Sequence, residues 1–474
     1  MKNINLNKKI TVEKIGGTSM SRFGMVLDHI ILGDRKKEDL YDRIFVVSAY
    51  SGVTNMLLEH KKNLEPGAFT YYLNDDHRWH EQLMKVKDYM FDINKGLKDI
   101  GLDVDTADKF IENRINETDV CLSDIRRLCS YGHFSKEEFV PATKEMLSSI
   151  GEAHSAFNSA NILNNKGVKS VFIDLTGWKD QAKLPVEDVV SKAFGPMDIS
   201  SVIPFVTGYI KCSEGFVSSF DRGYSDIALG KIATSVKASE VVVHKEYDLC
   251  SADPLILGTD KVKIISEINY DMADQLADIG MEAIHPKAAK ELMKNNIAIR
   301  VKNIFQKDHP GTLIHNTEGS SEEPEVKVIC GNKNVTAIEV WDTDMISQSG
   351  YDYKLVSFFN KYGISYLSKI ASGNTITHIV YSSENKLKTC IEEIREGFKA
   401  ARVDVKDVAL ISLVGNLGSK GVMGKGAQTL ADNGIKIWTT VVSFRQPSLQ
   451  FIVDRQDYIK ALSCLHKIFI EQKN

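Results

Sequence analysis

The chain has 474 residues, of which 43% are hydrophobic and 26% are charged. This ordinary globular composition excludes extended disorder and a fibrous repeat, and the length suggests about three structural units. Lysine and arginine number 59 against 63 aspartates and glutamates, so the chain has no general positive field and we expect no nucleic-acid-binding and no membrane-binding role.

The N-terminal two thirds of the chain alternate short apolar runs with helical patterns. A strand is predicted from Lys9 to Ile15, where it enters a glycine loop, and the run Arg43–Val47 predicts a second strand followed by a small-residue loop and a helix at 55–60. Residues 75–165 carry helical periodicity. Further strands are predicted at 171–174, 202–207, 240–244 and 298–301, with helices at 186–194, 225–238, 271–280 and 286–294. This order predicts an α/β domain with a largely parallel central sheet covered by helices.

The last third of the chain contains a repeat. Residues 315–325 lack apolar periodicity and are rich in Asn, Gly, Ser, Glu and Pro, which is typical of a linker. After them, 335–381 and 408–453 each show a strand, a helix ending at a glycine, and another strand, with room for the βαββαβ order of a ferredoxin-like module. The predicted division is the α/β domain at 1–315, a linker at 316–328, and two modules at 329–400 and 401–474.

The cysteines and the N-terminus bear on the compartment. Seven cysteines without a Cys-x-x-Cys pair suggest neither a disulfide framework nor a thiolate zinc site. The sequence has no signal-peptide pattern and no apolar run near the about 18 residues of a membrane span. We therefore expect a soluble protein of the reducing cytoplasm.

Lys14 is the most informative single residue. It shares a strand face with Ile10 and Val12, and an unpaired buried ammonium is expensive, so it needs an anion. The anion is either a carboxylate of the chain or a ligand phosphate, which the amides of Gly16 and Gly17 would also approach. An exposed edge-strand lysine is the remaining alternative.

Polar residues follow several other predicted elements. Ser48 and Thr54 lie in a loop that offers hydroxyls and amides to an anion, or that only caps the next helix. A predicted strand at 216–220 leads through Arg222 into a helix with Asp226 in its first turn. Arg222 could grip a carboxylate and Asp226 an ammonium, although a solvated arginine and a helix-dipole aspartate explain them equally well. Glu152 is open to the same two interpretations, as a ligand or as a surface residue.

A metal cage has little support. His244 ends a predicted strand, where a satisfied structural histidine is more common than a metal ligand, and no second His or Cys stands at metal-site spacing. A magnesium ion bridging phosphates, by contrast, needs few protein ligands.

Taken together, these segments resemble the aspartate kinases of the amino-acid kinase family, in the family's order and over nearly the whole chain. The segments are Val12-Glu-Lys-Ile-Gly-Gly-Thr-Ser19, Val47-Ser-Ala-Tyr-Ser-Gly-Val-Thr-Asn55, Gly151-Glu152, Val206-Thr-Gly-Tyr-Ile210, Arg222-Gly-Tyr-Ser-Asp226, Ser251-Ala-Asp-Pro254 and Ala283-Ile-His-Pro286. The start of the chain and the loop after residue 243 also resemble the branch found with ectoine biosynthesis genes. The last third resembles the family's paired ACT regulatory modules.

The resemblance implies transfer of the γ-phosphoryl group of ATP, with Mg²⁺, to the side-chain carboxylate of L-aspartate, giving 4-phospho-L-aspartate and ADP. Lys14 would stabilise charge on the transferring phosphoryl group and Asp226 would belong to its network. The family's aspartate-binding positions are matched by Ser48, Thr54, Glu152, Arg222 and Ser225, with Arg222 on the α-carboxylate. The ATP-binding positions are matched by Lys14, Gly16, Gly17, Ser19, His244, Lys245 and Cys250.

The chain also departs from the family's pattern. A glycine is replaced by Tyr224, Thr-Asp by His244-Lys245, a tyrosine by Cys250, an arginine by Leu255 and a lysine by Glu282. The nucleotide contacts are therefore expected to differ, while the retained aspartate and γ-phosphate positions indicate an active kinase. Because a cation is lost at Glu282, we hypothesise that Lys245 contacts the ATP phosphates. The alternative is that Lys245 only pairs with Glu246, Asp248 or Glu282.

The paired modules imply regulation. The resemblance predicts at least a homodimer formed through them, with an amino-acid effector near Gly350 and Gly421, although both could be ordinary loop glycines. The pathway served stays open among lysine, threonine, methionine and ectoine. Two other functions remain possible at this point, a different carboxylate kinase of the same fold and a catalytically inert amino-acid sensor.

Overall fold

The computed structural model describes residues 9–60, 63–220, 223–278, 281, 283–316, 325–383, 386–417, 421–442 and 447–472. Its contacts form two compact units, one of Met1–Asp248 with Ile284–Asn316 and one of Leu249–Ala283 with Thr317–Asn474. The segment 249–283 therefore belongs with the C-terminal part, which the division proposed from the sequence does not include. Within the described residues, no helix has both the length and the apolar character needed to cross a membrane.

The first unit is built on a largely parallel sheet, as predicted. Its strands are β1 (Thr11–Ile15), β2 (Arg43–Val47), β3 (Ser170–Ile173), β4 (Ile203–Thr207) and β5 (Glu240–Lys245), and, after β6 (Glu267–Asn269) of the second unit, β7 (Ala298–Asn303) and β8 (Thr312–His315). Within this unit the order is β3-β4-β2-β1-β5-β7-β8. All neighbours pair in parallel except β7 and β8. The carboxyl ends of β1, β2, β4 and β5 therefore meet at one edge, where ligands of open α/β sheets bind.

Helices surround this sheet. In the first unit they are α1 (Gly17–Met20), α2 (Phe23–Val26), α3 (Val53–Leu57), α4 (Ala68–Leu73), α5 (Arg78–Gly96), α6 (Val104–Ser130), α7 (Lys136–Asn165), α8 (Val186–Phe194), α9 (Phe216–Phe220), α10 (Tyr224–Ser235) and α13 (Pro286–Lys294). The helices α11 (Pro254–Leu257) and α12 (Tyr270–Asp278), which come between α10 and α13 in the sequence, belong to the second unit. The long helices α5 to α7 confirm the helical prediction for 75–165. Helix α7 is buried over its second half, where it packs against β3 and β4.

One element is not what the sequence predicts. Residues 216–220 form helix α9 and not a strand. The carboxylate of Glu145 accepts hydrogen bonds from the backbone N–H groups of Val217 and Ser218 at 2.8 and 3.0 Å, which satisfies the start of the helix. The rings of Phe216 and Phe220, one turn apart, then pack edge to face with their centroids at 5.4 Å. Because Glu145 lies 72 residues before Val217 in the sequence, no local sequence pattern indicates that 216–220 form a helix.

The second unit carries one antiparallel sheet with helices. Its strands are β9 (Glu325–Trp341), β10 (Tyr366–Ser372), β11 (Thr375–Tyr381), β12 (Arg402–Asn416), β13 (Ile437–Val442) and β14 (Ser448–Asp454), and its C-terminal helices are α14 (Tyr351–Tyr362), α15 (Leu387–Gly397), α16 (Val422–Asp432) and α17 (Tyr458–His466). The strand order is β10-β11-β9-β12-β14-β13. This arrangement agrees with two ferredoxin-like modules that share one sheet.

The long central strands β9 and β12 serve both modules. Ile338 and Val340 of β9 belong to a core with α14 and α15, whereas Val326 and Ile329 belong to a second core with Ala409 and other residues of β12. Residues 325–332, which the sequence suggests are linker and start of the first module, therefore pack in the second core. The first half of β9 therefore packs in the core of the second module, and Val403 in the first half of β12 packs against the core of the first module.

Candidate active site

Lys14 lies near the carboxyl end of β1 and is 9% exposed. Its ammonium donates a hydrogen bond to Oδ1 of Asp226, in the first turn of α10. The other oxygen of Asp226 accepts the backbone N–H of His285 at 3.2 Å. Of the two anions predicted for Lys14, the carboxylate is thus present in the chain itself.

The two small-residue loops approach each other closely. A Cβ on Gly17 would lie 2.7 Å from the carbonyl oxygen of Ala49, so only glycine permits this contact. The hydroxyl of Ser48 lies 3.4 Å from that of Ser225, next to Asp226 on α10. Thr54 lies in the first turn of α3, after Gly52 with φ of 87°. The structure thus brings Ser48 and Ser225 together at this edge of the sheet.

Glu152 extends from α7 and is 2% exposed. Its Oε1 accepts a hydrogen bond from the hydroxyl of Tyr224 at 2.8 Å. Burial raises the pKa of Glu152 to about 7, although this hydrogen bond and the charge of Lys14 act in the opposite direction. The surface-glutamate interpretation of Glu152 is therefore wrong.

Gly208 lies where helices α7 and α10 approach each other. A Cβ there would lie 2.8 Å from Cβ of Ser225 and 3.5 Å from Cγ of Glu152. The absence of a side chain lets α7 and α10 approach after β4. The predicted acceptor-side residues Glu152, Ser225 and Asp226 lie together for this reason.

The residues predicted to bind the nucleotide are more dispersed than those predicted to bind the acceptor. Ser19 donates a hydrogen bond to Glu246 at 2.5 Å. His244 lies 2.8 Å from Glu13, on the face of the sheet opposite to Lys14, because side chains alternate along β1. Cys250 is buried in the second unit and its backbone bridges to Ile264. Arg222 and Glu282 lie outside the described residues.

The strand register places Lys245 differently from His244. Lys14 pairs with Val243 across the parallel ladder, so Lys245, two residues further along, projects from the same face as Lys14. Lys245 makes no ion pair with any residue that the structure describes. Glu246 is engaged by Ser19, and Asp248 accepts hydrogen bonds from Asn303 and Gln306. Pairing of Lys245 with these two acids is not observed, and the third partner raised from the sequence, Glu282, lies outside the described residues.

A buried charged cluster was not foreseen from the sequence. Arg43 donates to both oxygens of Glu13, at 2.6 and 3.1 Å, and His244 contacts the same carboxylate. Burial opposes the ionisation of Glu13, but the charge of Arg43 and the hydrogen bonds outweigh it and hold the pKa of Glu13 well below its usual range. The only signal in the sequence is that charged residues occupy both faces of the buried strand β1.

Comparisons with known proteins agree on one family. The sequence pattern of the Amino acid kinase family matches residues 9–303. A relative from Stutzerimonas stutzeri (strain A1501), named Aspartate kinase Ask_Ect, is 43% identical over 467 residues, which cover 98% of each chain. The structure of Escherichia coli aspartokinase III in complex with lysine and aspartate covers 98% of this chain and 100% of its own with a TM-score of 0.72. Clostridium acetobutylicum aspartate kinase covers the same shares with a TM-score of 0.71.

These two structures are each 19% identical to the chain and show the shared fold. The family match spans more than half of the chain, and the relative from S. stutzeri spans nearly all of it. The chain therefore belongs to the amino acid kinase family and, within it, to the aspartate kinases, which are ATP-dependent phosphotransferases.

Proposed function

We propose that the chain phosphorylates the side-chain carboxylate of L-aspartate with ATP and Mg²⁺, giving 4-phospho-L-aspartate and ADP. The observation that carries this proposal is the buried group of Lys14, Asp226 and Glu152 at the carboxyl edge of the sheet. It combines one cation for a phosphoryl group with a carboxylate for an amino group. No protein nucleophile is needed, because positioning and electrostatics account for most of such catalysis.

The chain's own groups fit the phosphates of ATP. A Cβ on Gly16 would meet no atom within 4 Å, so the space beside this loop is open to a ligand oxygen. Lys14 would turn from Asp226 toward the transferring phosphoryl group and stabilise its charge. Magnesium would supply further positive charge to the phosphates, and phosphate-bound Mg²⁺ needs few protein ligands.

The residues proposed to bind L-aspartate are matched to the charges of its ammonium and carboxylate groups. Among the described residues, Oε2 of Glu152 has no hydrogen-bond partner and is buried, so it suits the α-ammonium group of aspartate. Ser48, Thr54 and Ser225 supply hydroxyls for the acceptor, and Arg222 binds the α-carboxylate. Ser19 is proposed to contact the nucleotide. His244 and Cys250 stay sequence predictions for the nucleotide side, and because His244 is bonded to Glu13 on the face opposite to Lys14, we assign it no contact with the transferring phosphoryl group.

The first experiment traps the acyl phosphate as hydroxamate in the presence of ATP and Mg²⁺. We expect product with L-aspartate and far less with L-glutamate or N-acetylglutamate. Equal or greater rates with those acceptors would favour another carboxylate kinase of this fold, and no product with any acceptor would favour an inert sensor.

Lys245 is proposed as an ATP-phosphate ligand because it shares a face with Lys14 and has no described ionic partner. Lys245→Ala is expected to raise the KM for ATP and to leave the KM for L-aspartate unchanged. Lys294→Ala removes an exposed lysine from the end of α13 and serves as the matched control. An unchanged KM for ATP in Lys245→Ala contradicts the assignment.

The second unit is proposed to regulate the kinase. Gly350 and Gly421 precede α14 and α16 with φ of 81° and 106°, and backbone amides at these helix starts would bind an effector carboxylate. We further propose a homo-oligomer formed through the modules and a cytoplasmic enzyme of the ectoine branch. Light scattering of the full chain, with and without candidate amino acids, tests assembly and effector binding together.

A further inference from the structure

Tyr224 occupies a position that the proposed mechanism does not use. It is the first residue of α10, two residues before Asp226, and it is 3% exposed. Its hydroxyl donates a hydrogen bond to Oε1 of Glu152 across the gap between α10 and α7, at 2.8 Å. A buried tyrosine normally places its hydroxyl against a partner, but this partner is a charged group of the active site.

The ring of Tyr224 is fixed by its neighbours. Its centroid lies 6.0 Å from that of Tyr209 and 6.1 Å from that of Phe216. The preceding Gly223 packs against His285, since a Cβ there would lie 2.3 Å from Cδ2 of that ring. A tyrosine held by aromatic contacts cannot follow a carboxylate that rotates, so the hydroxyl defines where Oε1 of Glu152 must lie.

One oxygen of Glu152 is therefore fixed and the other is left available. Oε2 is buried and has no partner within the described part of the chain. Two hydrogen-bonding positions on a carboxylate are not independent, because fixing one oxygen fixes the direction in which the other accepts. A single preorganised acceptor is what recognition of an ammonium group requires.

We propose that Tyr224 is a positioning residue for the acceptor, whose hydroxyl holds Glu152 so that Oε2 accepts the α-ammonium group of the amino-acid substrate. This inference rests on the role given to Glu152 in the proposed function. It concerns substrate binding and not phosphoryl transfer, because the hydroxyl of Tyr224 donates to Glu152, whereas Lys14 donates to Asp226.

The same hydrogen bond affects the charge of Glu152. Burial raises the pKa of Glu152 to about 7. The hydroxyl of Tyr224, the backbone N–H groups of Glu152 and Ala49, and the charge of Lys14 stabilise the ionised form and lower the pKa. The titratable groups that face Glu152 are Lys14 from β1, Tyr224 from α10 and Tyr209 after β4. Binding of an ammonium group needs the ionised carboxylate, so affinity for the acceptor is expected to increase as the pH rises through 7.

The test is Tyr224→Phe, which keeps the ring and removes only the hydroxyl. We expect the KM for L-aspartate to rise about tenfold, as for the loss of a hydrogen bond to a charged group, with kcat within about twofold and the KM for ATP unchanged. The pH midpoint of the aspartate KM profile should move to higher pH. A role in packing alone would not move that midpoint.

Tyr209→Phe is the matched control. Tyr209 stands in the same aromatic group, but its hydroxyl donates to Glu145 at 2.7 Å and not to Glu152. Its removal should leave the aspartate KM and its pH midpoint unchanged. Thermal shifts with L-aspartate in the absence of ATP measure binding independently of turnover, and thermal unfolding shows whether each variant is folded.

Glu152→Gln distinguishes the proposed role of Glu152 in binding the substrate from the proposed role of Tyr224 in positioning Glu152. If Glu152→Gln raises the aspartate KM and Tyr224→Phe adds nothing to it in the double variant, the two residues act as one unit and the inference is supported. If Glu152→Gln raises the KM but Tyr224→Phe does not, the inference is overturned and the proposed function stands. If Glu152→Gln has no effect, the proposed role of Glu152 fails and the inference fails with it.

Discussion

The raised pKa of Glu152 predicts that this residue destabilises the folded kinase at neutral and alkaline pH. The pKa moves from an ordinary 4.5 to about 7, and burial at 2% exposure is the largest cause. The folded-state value lies above the unfolded-state value. The favourable contribution of the protonated form is therefore fully present below pH 4.5 and is lost as the pH rises through 7. At about 1.4 kcal/mol per pKa unit, the loss amounts to about 3 kcal/mol.

Glu152→Gln removes the charge and keeps the shape of the side chain. We expect the variant to be more stable than the parent by less than about 1 kcal/mol at pH 5 and by up to about 3 kcal/mol at pH 8. Denaturation in urea at pH 5, 6, 7 and 8, followed by the fluorescence of the buried Trp79 in the first unit, measures the difference.

Glu138→Gln is the control, because Glu138 is exposed on the same helix. Its effect on the denaturation midpoint should be small and the same at every pH. A parent that is as stable as Glu152→Gln at pH 8, or a difference between them that does not depend on pH, would refute the reasoning. Saturating L-aspartate should reduce the difference at pH 8, because an ammonium group beside Oε2 favours the ionised form.

Two further predictions concern the charges on the two faces of β1. Lys14→Ala should lower kcat by about two to three orders of magnitude, as for the loss of a transition-state contact, with circular dichroism unchanged; an unchanged kcat would assign Lys14 to the ion pair with Asp226 alone. Glu13→Ala should cost about 3–5 kcal/mol of stability, because it leaves Arg43 buried without its carboxylate, and a denaturation midpoint equal to that of the parent would contradict this.

The sequence predicts best the elements that local pattern determines. The strand Arg43–Val47 and the helices Val186–Phe194 and Pro286–Lys294 agree with the structure to the residue. The first is a continuous buried run and Pro286 fixes the start of the last. For β5 the prediction ends one residue early, at His244.

Long-range packing determines what the sequence does not reveal. Residues 331–334 read as Gly-Asn-Lys-Asn, which is typical of a turn, yet β9 continues through them because β12 pairs with both halves of the strand. The spacing of the repeat suggests two self-contained modules. Only the hydrophobic cores show that the two halves of β9 pack in different modules. For the site, the order of motifs predicts which residues are present, but strand alternation decides that Lys14 and His244 face opposite sides.

The loop at 251–254 shows why a polar constellation must be judged by exposure as well as geometry. The hydroxyl of Ser251 lies 2.9 Å from Nε2 of His466, and Nδ1 of His466 lies 2.9 Å from Glu471. This is the order of groups in a serine nucleophile with its base and orienting acid. However, Ser251 is 2% exposed and His466 is fully buried, and the serine oxygen also accepts the N–H of Lys263 at 3.0 Å.

An electrophile has no access to such a serine, so the three residues tie the loop to helix α17 and do not act as a nucleophile. The loop belongs to the segment 249–283, which forms one compact unit with the C-terminal modules. The Ser-Ala-Asp-Pro motif stands in the family's order along the sequence, whereas the hydrogen-bond partner of Ser251 lies 215 residues later in α17. A displacement of α17 within the second unit would therefore either carry the loop of Ser251 with it or break this hydrogen bond, and a broken buried hydrogen bond leaves both groups unsatisfied.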